Sequence, residues 1–244
     1  MGLIRPTSGT AEIFGRDCWK EASTIAQDLG YVPGEDSYYQ NMKAGELLQY
    51  TADLYRKDCR SKMQELACRL ELDLSRRIAD LSLGNKKKVG IVSAFMTSPK
   101  LIIMDEPTGG LDPLAQQAFS EIVQEEKRRG TTVFLSSHIL SEVQKLCDRV
   151  AILKDGGLVE IRSIRELTER GYKKVGIVSS SPLPQDLSRM EGITAYREDI
   201  QKNAASFLYN GKIASLIQRI HGLDIEDIFL EEPSLEEIFL HYYQ

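Results

Sequence analysis

One short segment constrains this sequence most, because four apolar residues in it run directly into two carboxylates. Leu101 to Met104 are all apolar, and Asp105 and Glu106 follow them. A short, fully apolar run is typical of a buried strand in a parallel sheet, and helices that cover such a sheet define an α/β fold. Ligands in open α/β sheets bind at the carboxyl ends of the strands. The segment therefore predicts a functional site at Asp105 and Glu106.

A second strand with a polar end supports the same architecture. Thr131 to Leu135 predicts another buried strand, and His138 follows it. The chain between the two strands predicts a helix that begins after the cap residue Asp112 and ends at Gly130. Val150 to Lys154 predicts one more strand. Strands that alternate with helices predict a parallel sheet covered on both faces.

The remaining segments predict a helical region and a second, smaller domain. Apolar spacing predicts helices at Lys43–Lys57, Ser61–Leu72 and Gly84–Thr97. Beyond residue 170 the pattern becomes β-α-β-β-α-β, with strands at Lys173–Ser179, Ile193–Glu198, Ala204–Tyr209 and Leu223–Leu230 and helices at Pro184–Met190 and Lys212–His221. A capping box at Ser234 and Glu237 predicts a last helix. We expect domains at 1–170 and 171–244, the second being ferredoxin-like α+β.

The composition argues against several classes of protein. Lys and Arg total 31 and Asp and Glu total 36, so the formal net charge is −5, which argues against nucleic acid as a partner. No apolar run approaches the roughly 20 residues that span a bilayer, and residues 1–9 lack the apolar core of a signal peptide. The four cysteines form no C-x-x-C pair, so we expect reduced thiols in a cytosolic protein.

The two acids and the histidine suit chemistry on a phosphate. Mg²⁺ takes one or two carboxylates together with phosphate oxygens and waters, a role that fits Asp105. Glu106 could polarise a water for attack on a γ-phosphate, and His138 could donate a hydrogen bond to that phosphate or that water. The alternatives are two solvated acids at a strand end and a structural histidine.

A turn at the start of a predicted helix adds a candidate phosphate site. Ser82, Gly84 and Asn85 stand directly before or within the first helical turn. Helix N-termini bind phosphate through free N–H groups, and Gly84 would allow close backbone approach. The alternative is a plain N-cap by Ser82. Lys86, Lys87 and Lys88 follow, and we expect them to form a solvated helix face.

These motifs together resemble the ATP-binding subunit of an ABC transporter, in order and spacing, over residues 1 to about 160. The segments that carry the resemblance are Ser82–Asn85, Asp105-Glu106, Gly109–Asp112 and Ser137-His138. They correspond to the signature motif, the Walker B strand with its catalytic carboxylate, the D-loop and the H-loop. The resemblance implies a P-loop NTPase-like parallel sheet with a helical subdomain at about residues 40–97.

The resemblance also implies residue roles, cofactors and partners. Asp105 would bind Mg²⁺, Glu106 would be the general base and His138 would contact the γ-phosphate of ATP. Ser82, Gly84, Asn85 and Asp112 would contact nucleotide across a head-to-tail dimer with a second ATP-binding subunit. The helical subdomain would meet a separate membrane-spanning subunit, which places the chain at the cytoplasmic face of the membrane. The segment Glu232 to Phe239 resembles the accessory domain of multidrug- and bacitracin-type exporter ATPases.

Three departures from the family pattern matter. The signature reads Leu81 to Asn85, LSLGN, where the family usually has LSGGQ. Gly34 stands where the Q-loop glutamine is expected, and the neighbouring Glu35 either replaces it or faces solvent.

The third departure is that no G-x-x-x-x-G-K-[ST] pattern occurs. Because Met1 to Gly9 resembles the segment after the P-loop helix, we expect the first strands and the P-loop to be missing from this chain. Three functions then remain open. The chain is an ATP-hydrolysing exporter subunit read from a shortened sequence, a degenerate half that lends Ser82 and Gly84 to a complete partner, or a non-enzymatic interaction module that acts through residues 171–244.

Overall fold

The computed structural model of the 244-residue chain describes residue 2 and residues 4–35, 38–169, 172–184, 186–234 and 237. Backbone contacts divide the chain into two compact units, Met1–His138 and Ile139–Gln244. We describe each unit by itself. The domain limits expected from the sequence, 1–170 and 171–244, stay a prediction.

The first unit contains a parallel sheet and five helices among its described residues. Its strands are β1 (Glu12–Ile13), β2 (Arg16–Asp17), β3 (Leu29–Val32), β4 (Leu101–Asp105) and β5 (Thr132–Ser136), and its helices are α1 (Ala22–Ala26), α2 (Ala44–Tyr55), α3 (Arg60–Arg69), α4 (Leu83–Phe95) and α5 (Pro113–Arg128). The parallel sheet has the order β3-β4-β5. The three helices predicted before the first apolar strand are confirmed as α2, α3 and α4.

The core of the first unit forms around β4. Ile102 and Met104 on β4 are buried, as the apolar run predicts. Phe95 of α4 and Phe119 of α5 are both fully buried and meet edge to face, with ring centroids 6.3 Å apart. Aromatic rings prefer this geometry, and each contributes a large apolar area. This aromatic pair packs α4 against α5 in the core of the first unit.

The expectation that β5 is a buried strand is wrong. Phe134 on β5 is 65% exposed, and the described residues pair β5 with β4 alone. A parallel strand is buried when strands flank it on both sides and helices cover both faces. Within the described chain β5 lies at the edge of the sheet, so its apolar composition does not produce burial.

The strand predicted at Val150–Lys154 exists, but it does not join the parallel sheet. It is β6 (Arg149–Lys154), which pairs antiparallel with β7 (Gly157–Ser163) in the second unit. Asp155 and Gly156 connect them, with φ values of 51° and 77°. Positive φ at both loop residues gives the turn that matches strand twist in a tight hairpin. The Asp-Gly pair therefore makes a hairpin where the sequence pattern suggested a crossover.

The second unit also holds a four-stranded antiparallel sheet. Its further elements are α6 (Leu140–Leu146), α7 (Ile164–Glu169), β8 (Lys173–Ser179), β9 (Ile193–Asp199), β10 (Ala204–Tyr209), α8 (Ile213–Ile220) and β11 (Ile225–Glu231). The sheet order is β11-β8-β10-β9, which is the order of a split β-α-β-β-α-β unit. Leu216 and Ile220 of α8 pack against Val175, Ile177 and Phe207 of the sheet.

The helix predicted at Pro184–Met190 is wrong, because the described residues of this segment form a 3-10 turn at Leu187–Arg189. The segment spans only seven residues, and helices this short are marginal unless packing stabilises them. The predicted last helix lies outside the described residues beyond Glu237. Its capping contacts are present, since Ser234 N–H donates to Glu237 Oε2 at 2.9 Å.

Candidate functional site

The carboxyl ends of β4 and β5 bring polar side chains together. Asp105 is the last residue of β4, and the sheet register places it opposite Ser136, the last residue of β5. Ser136 Oγ donates to Asp105 Oδ1 at 2.5 Å. Parallel strands in register end at the same edge, so the residues that follow them meet there. We call Asp105, Glu106, Ser136 and His138 the carboxylate cluster.

Glu106 and His138 are paired within this cluster. The backbone N–H of His138 donates to Glu106 Oε1 at 3.1 Å, and His138 Nδ1 lies 2.9 Å from Glu106 Oε2. Glu106 has a φ of 45°, a left-handed conformation that costs a non-glycine residue about 1–3 kcal/mol. The strained backbone turns the Glu106 carboxylate toward His138, so the cluster combines a proton acceptor with a histidine.

Gly34 also reaches the carboxylate cluster, but Glu35 does not. A Cβ added at Gly34 would lie 2.8 Å from Asp105 Oδ2, so backbone packs against this carboxylate where a side chain would not fit. Glu35 is exposed and makes no hydrogen bond or ion pair within the described part of the chain. Within the described residues, no hydrogen bond or ion pair therefore joins Glu35 to the other predicted site residues.

The other predicted residues form a second group, the signature cluster of Ser82, Gly84, Asn85, Gly110 and Asp112. Ser82 caps α4 and accepts the Asn85 N–H at 3.3 Å. A Cβ added at Gly84 would lie 2.4 Å from the Gly110 carbonyl oxygen, so the first turn of α4 lies directly against the backbone at Gly110. Asp112 caps α5 by accepting the Ala115 N–H at 2.9 Å.

Electrostatic interactions stabilise the charged form of Asp112 in the signature cluster. The hydrogen bond from Ala115 holds the pKa of Asp112 below its ordinary range, with the charge of Lys88 acting in the same direction against desolvation. Lys88 Nζ lies 3.6 Å from Asp112 Oδ2. Asp112 is thus a carboxylate at neutral pH, and the pair connects α4 with the start of α5.

The expectation of a solvated lysine face is wrong for two of the three lysines. Lys87 and Lys88 are 2% and 7% exposed, and Lys86 is half-buried. Consecutive helix residues point about 100° apart, so three in a row cannot share one exposed face. Sequence reasoning also missed Ser136, although aligning the ends of the two apolar strands would have placed it beside Asp105.

The donor chemistry of the carboxylate cluster fits Mg²⁺. Asp105 and Ser136 offer hard oxygen atoms, and Mg²⁺ uses one or two protein ligands when phosphates and waters supply the rest. Among the described residues, no group of three or more His, Cys, Asp or Glu side chains is arranged to hold a metal by itself. The cluster therefore suits a cation that arrives with a phosphate ligand better than a protein-only metal site.

Comparisons with known proteins identify the family. Residues 1–109 match the ABC transporter family. The bacitracin transport ATP-binding protein BcrA of Bacillus licheniformis is 30% identical over 249 aligned positions, which cover 98% of this chain and 81% of that protein. The chain belongs to the ABC transporter ATP-binding family.

Solved structures agree with this ABC assignment. An ATP-binding subunit of an ABC transporter aligns with a TM-score of 0.65 and 32% identity, covering 69% of this chain and 72% of that chain. The ATP-binding cassette MJ0796, solved as a dimer bound to ADP and Pi, aligns with a TM-score of 0.61 and 23% identity over 67% of this chain and 77% of that one. The second likeness shows the fold alone. Within the described residues, no helix has both the length and the apolar character needed to cross a membrane.

Proposed function

We propose that this ABC subunit hydrolyses ATP and couples the hydrolysis to export by a separate membrane-spanning subunit. The observation that carries the proposal is the pairing of Glu106 with His138 beside Asp105 and Ser136. A carboxylate held by a histidine next to a hard-oxygen cation site is what in-line attack of water on a phosphate requires. Export as the direction rests on the resemblance of the C-terminal segment to exporter ATPases.

The proposed chemistry assigns each residue of the carboxylate cluster one task. Asp105, oriented by the Ser136 hydroxyl, would hold Mg²⁺, which neutralises charge on the phosphates when it is bound. Glu106 would accept a proton from the attacking water. His138 would orient Glu106 through its backbone N–H and Nδ1, and its exposed ring would reach a γ-phosphate oxygen.

The signature cluster would act on nucleotide held by a second ATP-binding subunit in a head-to-tail dimer. Ser82 and Leu83 are exposed at the start of α4, where helix N–H groups lack partners inside the helix. Gly84 has no side chain, so it lets another group approach this end of α4 closely. MJ0796 was solved as a dimer, and a shared fold supports the same assembly here. In such an assembly the chain lies at the cytoplasmic face of the membrane, against its transporter subunit.

A phosphate-binding loop must complete the site, because no G-x-x-x-x-G-K-[ST] pattern occurs in the 244 residues. The open side of β5, with Phe134 65% exposed, suits a further parallel strand that carries such a loop. We propose two sources for that strand, a longer form of this chain or a different subunit. The intact mass of the protein from its own cell distinguishes them, since a mass clearly above 27.5 kDa indicates the longer form.

The decisive test replaces Glu106 by Gln in the assembled transporter. We expect ATP binding to persist while turnover falls at least about a hundredfold, the loss typical of a removed general base. Glu35→Gln makes the same chemical change on an exposed carboxylate outside the cluster and should retain turnover. Robust turnover in Glu106→Gln would contradict the assignment of the base. Because glutamine at position 35 would restore the family residue, the Q-loop role is tested by Glu35→Ala, whose loss of turnover would assign that role to Glu35.

The second candidate function is a half that lends only its signature cluster. The exposed Ser82 and Leu83 favour this role independently of the carboxylates. If it holds, adding this chain should raise the ATPase rate of a complete partner, and Ser82→Ala should remove the increase. An unchanged rate on mixing would count against this function.

A further inference from the structure

Lys87 is an unusual residue in the first unit because its ammonium group is buried. Its residue exposure is 2%, and its Nζ donates to the carbonyl oxygens of Pro33 and Gly34, both at 2.8 Å. Lysine is almost never fully buried unless its charge is hydrogen-bonded, because desolvation of an ammonium is costly. These bonds attach the middle of α4 to the loop that follows β3.

The same loop lies close to the side chain of Asp105. A Cβ added at Gly34 would lie 2.8 Å from Asp105 Oδ2 and 3.3 Å from its Cγ, so the Gly34 backbone is close to this carboxylate. The other oxygen, Oδ1, accepts from Ser136 Oγ. Asp105 is thus hydrogen-bonded to Ser136 through Oδ1 and has the Gly34 backbone near its Oδ2.

We propose that Lys87 is a positioning residue that orients the Asp105 carboxylate through the backbone of Gly34. The inference rests on the proposed function, in which Asp105 holds Mg²⁺. Lys87 stands five residues after Ser82 on the same helix, about 7.5 Å along the helix axis at 1.5 Å per residue. A shift of the signature end of α4 therefore moves the Pro33–Gly34 carbonyls and changes how Asp105 meets the cation.

The first experiment uses the 244-residue chain without nucleotide. Lys87→Met removes the hydrogen bonds to the Pro33 and Gly34 carbonyls. Lys86→Met is the matched control, because the half-buried Lys86 side chain makes no hydrogen bond or ion pair in the described chain. We expect Lys87→Met to shift the carbonyl ¹³C signals of Pro33 and Gly34 and the ¹³C signal of the Asp105 carboxylate. Lys86→Met should change neither. An unchanged Asp105 signal in a folded Lys87→Met protein would overturn the proposal.

The second experiment measures hydrolysis in the assembled transporter as a function of Mg²⁺. We expect Lys87→Met to raise the Mg²⁺ concentration for half-maximal rate about tenfold, the usual cost of losing a partner of a metal ligand. The KM for ATP at saturating Mg²⁺ should stay unchanged. Lys87→Gln retains one donor group, so its Mg²⁺ concentration for half-maximal rate should lie between that of the unmodified protein and that of Lys87→Met. A lower kcat with an unchanged Mg²⁺ requirement would assign Lys87 a structural role only.

The role of Lys87 can still be tested if Lys87→Met does not fold or if the assembly is inactive. If Lys87→Met does not fold, Gly34→Ala tests the same path, because its Cβ meets Asp105 directly and should raise the Mg²⁺ requirement in the same way. A normal Mg²⁺ requirement in Gly34→Ala would contradict the proposal. If the unmodified assembly hydrolyses no ATP, the proposed function fails, and the Asp105 signal in the isolated chain still decides the role of Lys87.

Discussion

The replacement of Gly84 by alanine tests whether the first turn of α4 contacts the Gly110 backbone in solution. Gly84 is the second residue of α4, and its added Cβ would lie 2.4 Å from the Gly110 carbonyl oxygen. The obstructing atom belongs to backbone, which cannot rotate away as a long side chain does. Gly110 has a φ of 80°, so its own conformation is already restricted to one that favours glycine.

Two opposing effects set the size of the change. Alanine is more favourable than glycine inside a helix by about 1 kcal/mol, which would stabilise the variant. Overpacking a closely packed contact costs about 1–3 kcal/mol. The contact outweighs the helix preference, so we expect Gly84→Ala to lose about 1 kcal/mol of unfolding free energy. Asn85→Ala, one position later and free of this clash, should instead gain about 0.5 kcal/mol.

Urea unfolding measured by tryptophan fluorescence is the suitable assay. Trp19 is the single tryptophan of the chain and lies in the first unit, so its signal reports on the unit that contains Gly84. We expect a lower midpoint for Gly84→Ala at an unchanged slope, and a raised midpoint for Asn85→Ala. A Gly84→Ala protein about 1 kcal/mol more stable than the parent would refute the reasoning, because helix propensity alone would then explain it.

Two other predictions concern stability in each unit. Arg69 donates two hydrogen bonds to Glu125, at 2.7 and 2.9 Å, and these hold the pKa of Glu125 below its ordinary range. The pair therefore stabilises the fold at pH values above the ordinary carboxyl pKa of about 4.3, and this stabilisation is lost as the pH falls below that value. Glu125→Gln has no carboxylate to protonate, so its unfolding free energy in urea titrations should fall less than that of the parent between about pH 7 and 3. In the second unit, Gly192 has a φ of 89°, and an added Cβ would lie 2.8 Å from the Asn210 carbonyl oxygen. Gly192→Ala should therefore lower the thermal midpoint, whereas Gly222→Ala, in open space, should not; equal midpoints would contradict this packing.

The carboxylate cluster was predictable because strand geometry alone places its members. The two apolar runs predict neighbouring strands, and residues after two parallel neighbours meet at one sheet edge, which brings Asp105 to Ser136 and Glu106 to His138. The cap at Asp112 was equally local, since it depends on a short side chain one residue before a proline. Such features need no knowledge of distant packing.

Other features depend on what packs against a segment and could not be inferred from its own residues. Phe134 is apolar yet exposed, because the described chain offers β5 one neighbouring strand. Lys87 is charged yet buried, because two carbonyl oxygens far away in sequence accept its hydrogen bonds. Asp155 and Gly156 carried a hairpin signal, but the alternation of strands and helices before them favoured a crossover.

Under the proposed function, electrostatics explain why each cluster would need a partner to act on ATP. A hydroxyl, a backbone N–H and an imidazole contact the Asp105 and Glu106 carboxylates. The two adjacent acids would therefore repel nucleotide phosphates unless a cation and further donors accompany them. The signature cluster has the opposite character. Ser82 Oγ accepts the Asn85 N–H and still has its own hydrogen to donate, and the first N–H groups of α4 have no partner inside the helix. Donors at one cluster and acceptors at the other are complementary, which favours two chains arranged so that the signature end of each meets the carboxylate end of its partner.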